Sequence, residues 1–262
     1  MSPGTGQWFT ARMTHDEAPE LRYAMGSDVG QRRSANEDSA YATGRLLAVA
    51  DGMGGHAAGE VASAEAIGAI RELDDRLSAR GADSEEPDLL AELGEAVAVA
   101  AARLNTKVAD DEELAGMGTT LTAMLWQDTT FGLAHIGDSR CYLRRDGELR
   151  QLTKDHTMVQ TLVDEGQIPA ELAARHPSRS VLIRALLAGS AGEPDLSLHT
   201  ALPGDRYLLC SDGLTDVATA EEIGELLDSA ADPLEAVRGL IDLANEGGGP
   251  DNITCVVAFL GE

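Results

Sequence analysis

The chain has 262 residues, of which 43% are hydrophobic and 25% are charged, so it is long and apolar enough to fold around a sizeable core. Asp and Glu outnumber Lys and Arg by 45 to 20, which gives a formal net charge of −25. A surface this acidic argues against binding to nucleic acid or to anionic lipid, because both require a basic face. The same charge suits a protein that binds cations.

The sequence carries no sign of secretion or of membrane insertion. No apolar run approaches the roughly 18 residues of a membrane span, and residues 1–20 lack the charged-then-apolar pattern of a signal peptide. Cys141, Cys210 and Cys255 are odd in number and lie in apolar segments, which is typical of reduced core thiols. We expect a cytoplasmic monomer without a membrane or nucleic-acid partner, and we expect residues 1–20 to form a flexible tail.

In the first part of the chain, the spacing of apolar residues predicts strands on both sides of a helix pair. Apolar residues recur every three to four positions over 61–77 and 90–108, which indicates two long amphipathic helices. Asp146-Gly147 is a hairpin signal. Tight hairpins indicate antiparallel pairing, because parallel neighbours need long crossover connections. The predicted strands of this part are 21–29, 39–50, 119–126, 129–136, 139–145 and 148–152.

The second part continues the same blockwise order. Residues 156–190 have a mixed pattern that predicts a short helical insert. Strands are expected over 195–201 and 206–211, followed by two helices and a last strand over 253–260. Because helices arrive in pairs rather than after each strand, the pattern favours an α+β fold over a doubly wound α/β fold. We predict one or two antiparallel sheets covered by helix pairs.

Four aspartates occupy the ends of apolar strand segments. Asp51, Asp138 and Asp212 each end such a run, and Asp251 opens the last strand. Carboxylates gathered at one sheet edge repel one another unless a cation binds between them. Oxygen ligands without nearby Cys or paired His favour Mg²⁺ or Mn²⁺ over Zn²⁺. Two such ions about 3.5–4 Å apart can lower the pKa of a shared water and clamp a displacement at phosphorus.

Two further features accompany these aspartates. Asp51-Gly52 and Asp212-Gly213 share the pattern of an apolar strand, an aspartate and a glycine. A glycine there permits a sharp turn and lets a backbone carbonyl come close to a ligand. Arg33 lies just before an acidic pair, and its guanidinium can bind phosphate oxygens bidentately.

Several motifs between about residues 22 and 260 occur in series. They are Arg33-Ser-Ala-Asn-Glu-Asp38, the segment 49–60, Gly118-Thr-Thr, Gly137-Asp-Ser-Arg, Ser211-Asp-Gly and Gly249-Pro-Asp-Asn-Ile-Thr. Together they resemble the metal-dependent protein phosphatases of the 2C type, in their bacterial branch. The resemblance implies a four-layer α+β fold, in which helix pairs flank a β-sandwich of two antiparallel sheets. It also implies hydrolysis of phosphoserine and phosphothreonine in targets of Ser/Thr kinases.

The resemblance assigns roles around two core Mn²⁺ or Mg²⁺ ions. It implies that Asp51 bridges the two ions and that the Gly52 carbonyl binds one of them. Asp212 and Asp251 would hold the other ion. With Arg33, Asp51 and Asp212 are the residues expected to carry catalysis.

The remaining roles are more peripheral. The resemblance implies that Glu37 and Asp38 act on the ions directly or through water, and that Asp138 binds a third, weaker ion. Arg33 would hold the substrate phosphate, and residues 157–185 would form a mobile flap within a single catalytic domain over 21–262. Arg175, Arg179 and Arg184 either give this flap a positive face or belong to a solvated loop.

The sequence departs from the animal branch at the leaving-group acid. Those relatives have a histidine directly after Asp-Gly, where this chain has Met53. His56 and His156 are the nearby histidines, and a structural role is the simpler interpretation of each. The general acid is therefore unassigned.

Three alternatives compete with this interpretation. Gly52-x-Gly54-x-x-Ala57 after a strand mimics a dinucleotide-binding loop, although Asp51 would place a negative charge against the pyrophosphate. The same fold without turnover would be a regulator that binds phosphoproteins or metal. The third alternative is also an enzyme: a dedicated regulatory phosphatase that acts on one partner-switching protein, such as an anti-sigma-factor antagonist.

Overall fold

The computed structural model describes residues 7–12, 20–54, 57–80, 86–189 and 193–261. Its strands are β1 (Gln7–Arg12), β2 (Leu21–Asp28), β3 (Asp38–Ala42), β4 (Leu46–Met53), β5 (Gly118–Thr119), β6 (Leu121–Gln127), β7 (Thr130–Ile136), β8 (Arg140–Arg145), β9 (Glu148–Gln151), β10 (Leu186–Leu187), β11 (Asp195–Thr200), β12 (Arg206–Cys210) and β13 (Ile253–Leu260). Its helices are α1 (Ala57–Ser78), α2 (Leu89–Asp110), α3 (Met158–Asp164), α4 (Asp212–Thr215), α5 (Ala220–Ser229) and α6 (Pro233–Glu246).

The strands form two antiparallel sheets within the described residues. The first sheet has the order β1-β2-β13-β12-β8-β9, and the second has the order β10-β5-β4-β6-β7-β11 with β3 paired to β4. Helices α1 and α2 cover the outer face of the second sheet, while α5 and α6 cover the first. The predicted four-layer α+β architecture is confirmed. The antiparallel partners of β4 also exclude the nucleotide-binding alternative, which requires a parallel crossover unit.

Alternating burial explains why the strand at 46–50 is apolar throughout. Leu46 and Ala48 pack beneath the helix pair α1–α2, while Leu47 and Val49 face the first sheet inside the sandwich. Strand β13 is likewise buried along its whole length, because one face lies under α6 and the other packs in the sandwich. Each such strand end is therefore held rigidly at the rim of the sandwich.

Two expectations differ from the observed elements. The single strand predicted over 39–50 is a hairpin of β3 and β4, because Thr43 closes a turn: its N–H donates to the Leu46 carbonyl at 2.8 Å. The tail expected over 1–20 contains β1, which pairs antiparallel with β2 from Gln7 opposite Ser27 to Arg12 opposite Arg22. Backbone pairing at the free edge of β2 orders this part of the tail. Residues 1–6 and 13–19 lie outside the described residues.

The insert at 156–190 is short and helical, as predicted. It contains α3 and a 3₁₀ turn over Ala170–Arg175, and a bridge between Thr157 and Leu182 closes its base. None of the helices in the described part of the chain combines the length and the apolarity needed to span a bilayer.

Candidate metal centre

A cavity of about 600 Å³ opens at one end of the sandwich, and every predicted site residue except Asp38 lines it. Strand β4 contributes Asp51, the turn after β7 contributes Asp138, and helix α4 begins at Asp212. Asp251 lies two residues before β13. Carboxylates from distant parts of the chain therefore meet at one rim, because the strands that carry them end there.

Asp38 lies directly behind this cavity. It is paired with Asp51 across the β3–β4 ladder, and its Oδ2 accepts a hydrogen bond from Ser211 Oγ at 2.8 Å. Its Oδ1 is buried without a hydrogen-bond partner among the described residues. A buried carboxylate oxygen left unsatisfied costs free energy, so this atom is suited to a cation or an ordered water.

The carboxylates raise one another's pKa values. Burial raises the pKa of Asp51 well above its ordinary value, and the charges of Asp38 and Asp212 raise it further. Burial likewise raises the pKa of Asp212, reinforced by Asp138 and Asp216. The pKa of Asp138 rises to about 6, again mainly through burial. The cluster thus holds more negative charge than the protein itself compensates.

The donor set fits Mg²⁺ or Mn²⁺. All the candidate ligands are hard oxygen atoms, and the clustered charge calls for a cation. Among the described residues, no group of three or more acidic, histidine or cysteine side chains forms a cage that could hold a metal ion. Such a cage is unnecessary, since Mg²⁺ typically takes one or two carboxylates and keeps several waters. The cavity is large enough to hold those waters.

Arg33 lies at the mouth of the cavity and pairs with one of the aspartates. Its Nη2 donates to Asp251 Oδ2 at 2.6 Å, and this hydrogen bond raises the pKa of the guanidinium. The two side chains are 51% and 32% exposed. An ion pair this exposed contributes about 0–1 kcal/mol, so the guanidinium is held only weakly.

The family model of protein phosphatase 2C matches residues 26–245 of the chain. The chain belongs to the protein phosphatase 2C family. The resemblance inferred from its motifs is confirmed.

Individual relatives agree in sequence and in structure. Serine/threonine protein phosphatase PstP of Mycobacterium tuberculosis is 55% identical over 238 residues, which are 91% of this chain and 45% of that protein. The chain thus spans less than half the length of this curated relative. A crystal structure of the M. tuberculosis phosphatase has a TM-score of 0.86 at 54% identity, covering 92% of this chain and 99% of that chain. The PstP catalytic domain in complex with two manganese ions has a TM-score of 0.83 at 52% identity, with the same coverage.

In this 2C-type chain, the sharp turn predicted at the glycine after Asp51 is absent. Gly52 continues strand β4, paired with Thr119, and makes no sharp turn. A Cβ at this position would lie 2.1 Å from the Gly59 carbonyl oxygen in the first turns of α1. The glycine is required because the helix backbone approaches the strand closely. Gly213, the other predicted turn residue, lies inside α4.

Two polar residues that support the site were missed in the sequence. The Asp51 N–H donates to Thr120 Oγ1 at 2.9 Å, and that hydroxyl bonds Ser139 Oγ at 2.7 Å. Asn252 accepts the Glu37 N–H at 2.8 Å and donates to the carbonyls of Val29 and Ala35. Both residues lie in motifs that carry the family resemblance, Gly118-Thr-Thr and Gly249-Pro-Asp-Asn-Ile-Thr. Those motifs are the sequence signal by which the two residues could have been found.

The histidines and flap arginines are placed as follows. His156 is 4% exposed and does not line the cavity, which agrees with a structural role. Arg179 lines the cavity and pairs with Asp216 at 2.8 Å, whereas Arg184 pairs with Asp195 at 2.9 Å outside it. His56 and the side chain of Arg175 lie outside the described residues.

Proposed function

We propose that this chain hydrolyses phosphoserine and phosphothreonine in proteins with the help of two Mn²⁺ or Mg²⁺ ions, and so reverses the action of bacterial Ser/Thr kinases. The observation that carries the proposal is the convergence of Asp51, Asp138, Asp212 and Asp251 on one cavity with Arg33 at its mouth. The relatives named as serine/threonine phosphatases, and the two manganese ions of the PstP domain, support it.

We assign the core ligands to the residues at the cavity rim. Asp51 is proposed to bridge the two ions, with the Gly52 carbonyl on one side and Asp212 and Asp251 on the other. Glu37 and Asp38 support them directly or through water, and Asp138 takes a third, weaker ion. When bound, the ions lower the pKa of a water molecule and stabilise negative charge at phosphorus.

The other steps belong to the chain's own groups. Arg33 binds the phosphate oxygens, because its weak pair with Asp251 leaves the guanidinium able to turn toward an anion. Thr120 and Asn252 hold the backbone of Asp51 and Glu37 in place. Met53 lines the cavity, and none of the histidines in the described ranges does, so we assign protonation of the leaving oxygen to water.

The setting of the enzyme is part of the proposal. We propose that residues 21–262 act as one catalytic domain with a flap over 157–185. We propose that it works in the cytoplasm as a monomer on phosphorylated proteins, without a nucleic-acid or membrane partner. The acidic composition supports the last point.

The proposal predicts metal-dependent phosphate release. With a phosphothreonine peptide and Mn²⁺, purified protein is expected to release inorganic phosphate in repeated turnovers. EDTA is expected to stop the release and excess Mn²⁺ to restore it, because the proposed nucleophile is a water molecule whose pKa only bound ions lower. A protein that binds Mn²⁺ and the peptide without turnover would instead be a non-catalytic regulator, and the proposal would fail.

Arg33→Ala is expected to raise KM for a phosphopeptide by about 10- to 100-fold with little change in kcat, because a hydrogen bond to a charged group contributes about 1.5–3 kcal/mol. Steady-state kinetics with saturating Mn²⁺ provides the measurement. Arg32→Ala is the matched control, since Arg32 is also exposed but does not line the cavity. An unchanged KM in the Arg33 variant would contradict the role given to its guanidinium.

A further inference from the structure

His156 stands just before the flap, outside the cavity, and nothing in the proposed hydrolysis uses it. It is buried, and its ring lies 4.7 Å, centroid to centroid, from the ring of His135. A buried imidazole needs partners for both ring nitrogens, so its hydrogen bonds show what it holds together.

The first partner is the backbone that precedes Asp138. The His156 N–H donates to the Gly137 carbonyl at 2.8 Å, and the Gly137 N–H donates back to His156 Nδ1 at 3.1 Å. Gly137 has a φ of +113°, a conformation that favours glycine, and a Cβ there would lie 2.5 Å from Thr120 Cγ2. The imidazole therefore fixes a backbone corner, residues 137 and 138, that has no freedom to relax toward the sheet.

The second partner is the Asp195 carboxylate at the start of β11, beyond the end of the flap. Because Nδ1 accepts a hydrogen bond, the neutral ring carries its proton on Nε2, which donates to Asp195 Oδ2 at 3.1 Å. Arg184, near the end of the flap, donates to the other oxygen of the same carboxylate, Asp195 Oδ1, at 2.9 Å. Burial lowers the pKa of His156, which agrees with a neutral ring.

The backbone of His156 completes the connection. Its carbonyl accepts the Ile183 N–H at 2.8 Å, and the Met158 N–H donates to the Val181 carbonyl at 2.8 Å. Leu182, between these two flap residues, lines the cavity. Both ends of the flap and the corner at 137–138 thus meet around one residue, which holds them through its backbone and its imidazole.

We propose that His156 is a positioning residue that couples the flap to the corner at 137–138, so that the flap wall of the cavity and the Asp138 carboxylate keep a fixed relation. It touches neither substrate nor reacting atoms. Its effect on catalysis rests on the proposed function, whereas its effect on the flap does not.

The first test is amide hydrogen exchange of the metal-free protein in EDTA. His156→Ala is expected to speed exchange at Gly137 and Ile183 by at least about tenfold. The Gly137 N–H loses its acceptor, Nδ1, and the main-chain carbonyl that accepts the Ile183 N–H is no longer anchored by the imidazole. Amides of β13 serve as the internal reference and should keep their rates. His199→Ala is the matched control, since His199 lies on β11, stacks on Phe131 and has no contact with the flap in the described structure.

Two conservative variants separate the two ring nitrogens. In His156→Asn, the amide oxygen can take the place of Nδ1 and accept the Gly137 N–H, so slow exchange at Gly137 should return. In His156→Gln, the longer side chain reaches toward Asp195 instead, so Gly137 should stay fast. Equal acceleration in β13 would mean a general loss of stability and would overturn the proposal, as would unchanged exchange or a failure of Asn to restore Gly137.

The second test compares two substrates under saturating Mn²⁺. His156→Ala is expected to raise KM for a phosphothreonine peptide about tenfold while changing KM for para-nitrophenyl phosphate less than about twofold, because the small ester needs no flap wall. Equal changes for both substrates would overturn the coupling. If the wild-type protein hydrolysed neither substrate, the proposed function would fail, and the exchange experiment would still decide the role of His156.

Discussion

Asp212→Asn is expected to lower kcat by about 10³-fold at saturating Mn²⁺, because a loss of about 4 kcal/mol of transition-state stabilisation corresponds to that factor. Asn has the shape of Asp but no charge, so it keeps the start of helix α4 and loses the ligand. Among the described residues the Asp212 carboxylate accepts no hydrogen bond from the fold, so the substitution should leave the structure intact. Phosphate release and calorimetric titration with Mn²⁺ are the measurements.

The control for this prediction is a second Asp-Gly pair in the same chain. Asp146→Asn alters the exposed β8–β9 turn, where φ is 52°, a conformation that Asn also tolerates. It should retain full activity and full Mn²⁺ binding. Wild-type turnover in the Asp212 variant would refute the metal assignment, whatever its effect on binding.

Asp51→Asn is expected to stabilise the metal-free protein by about 1–4 kcal/mol at pH 8, the order of the gain found when buried ionic groups are replaced by uncharged side chains of similar volume. Burial is the main cause of the raised pKa of Asp51, and repulsion by Asp38, Asp212 and neighbouring carboxylates raises it further. The folded state therefore bears a cost that the unfolded chain does not. Thermal unfolding in EDTA measures the gain, at about 2–4 °C of Tm per kcal/mol for a chain of this size.

The same variant should lose this advantage when Mn²⁺ is present. Cations stabilise the wild-type protein by binding its folded form, and the Asn side chain gives up that contribution. Asp242→Asn is the control, since Asp242 is exposed on α6 and its replacement should stay within about 0.5 kcal/mol in both conditions. A metal-free Asp51 variant that is less stable than wild type would contradict the charge cluster.

Much of this architecture was accessible from the sequence. Apolar runs such as 46–50 and 207–211 mark strands that must be covered on both faces, and a carboxylate directly after such a run can lie only at a rim. That reasoning alone places Asp51, Asp138 and Asp212 at one rim of the sheets. The helix pairs could be predicted equally well, because apolar residues recur at regular intervals along them.

The parts that were missed depend on contacts between distant segments. Thr120 and Asn252 accept hydrogen bonds from backbone N–H groups 69 and 215 residues away, and no local sequence pattern indicates such bonds. The hairpin at 38–53 was not predicted, because the strand pattern on both sides of its short turn looks like one continuous strand. The sharp turn predicted at Gly52 is absent, and the close approach of α1 that requires a glycine there was not predicted because it is a tertiary contact.

The position of β13 has a consequence for how the molecule is assembled. Residues 253–260 are the last strand of the described chain, yet they lie between β2 and β12 and hydrogen-bond to both. The first sheet cannot close until residues 253–260 have emerged from the ribosome, and its pairing joins residues more than 200 positions apart, which makes for slow folding. Asp251 enters the molecule with that strand, so nascent chains have an unfinished sheet and an incomplete acidic rim at the same time.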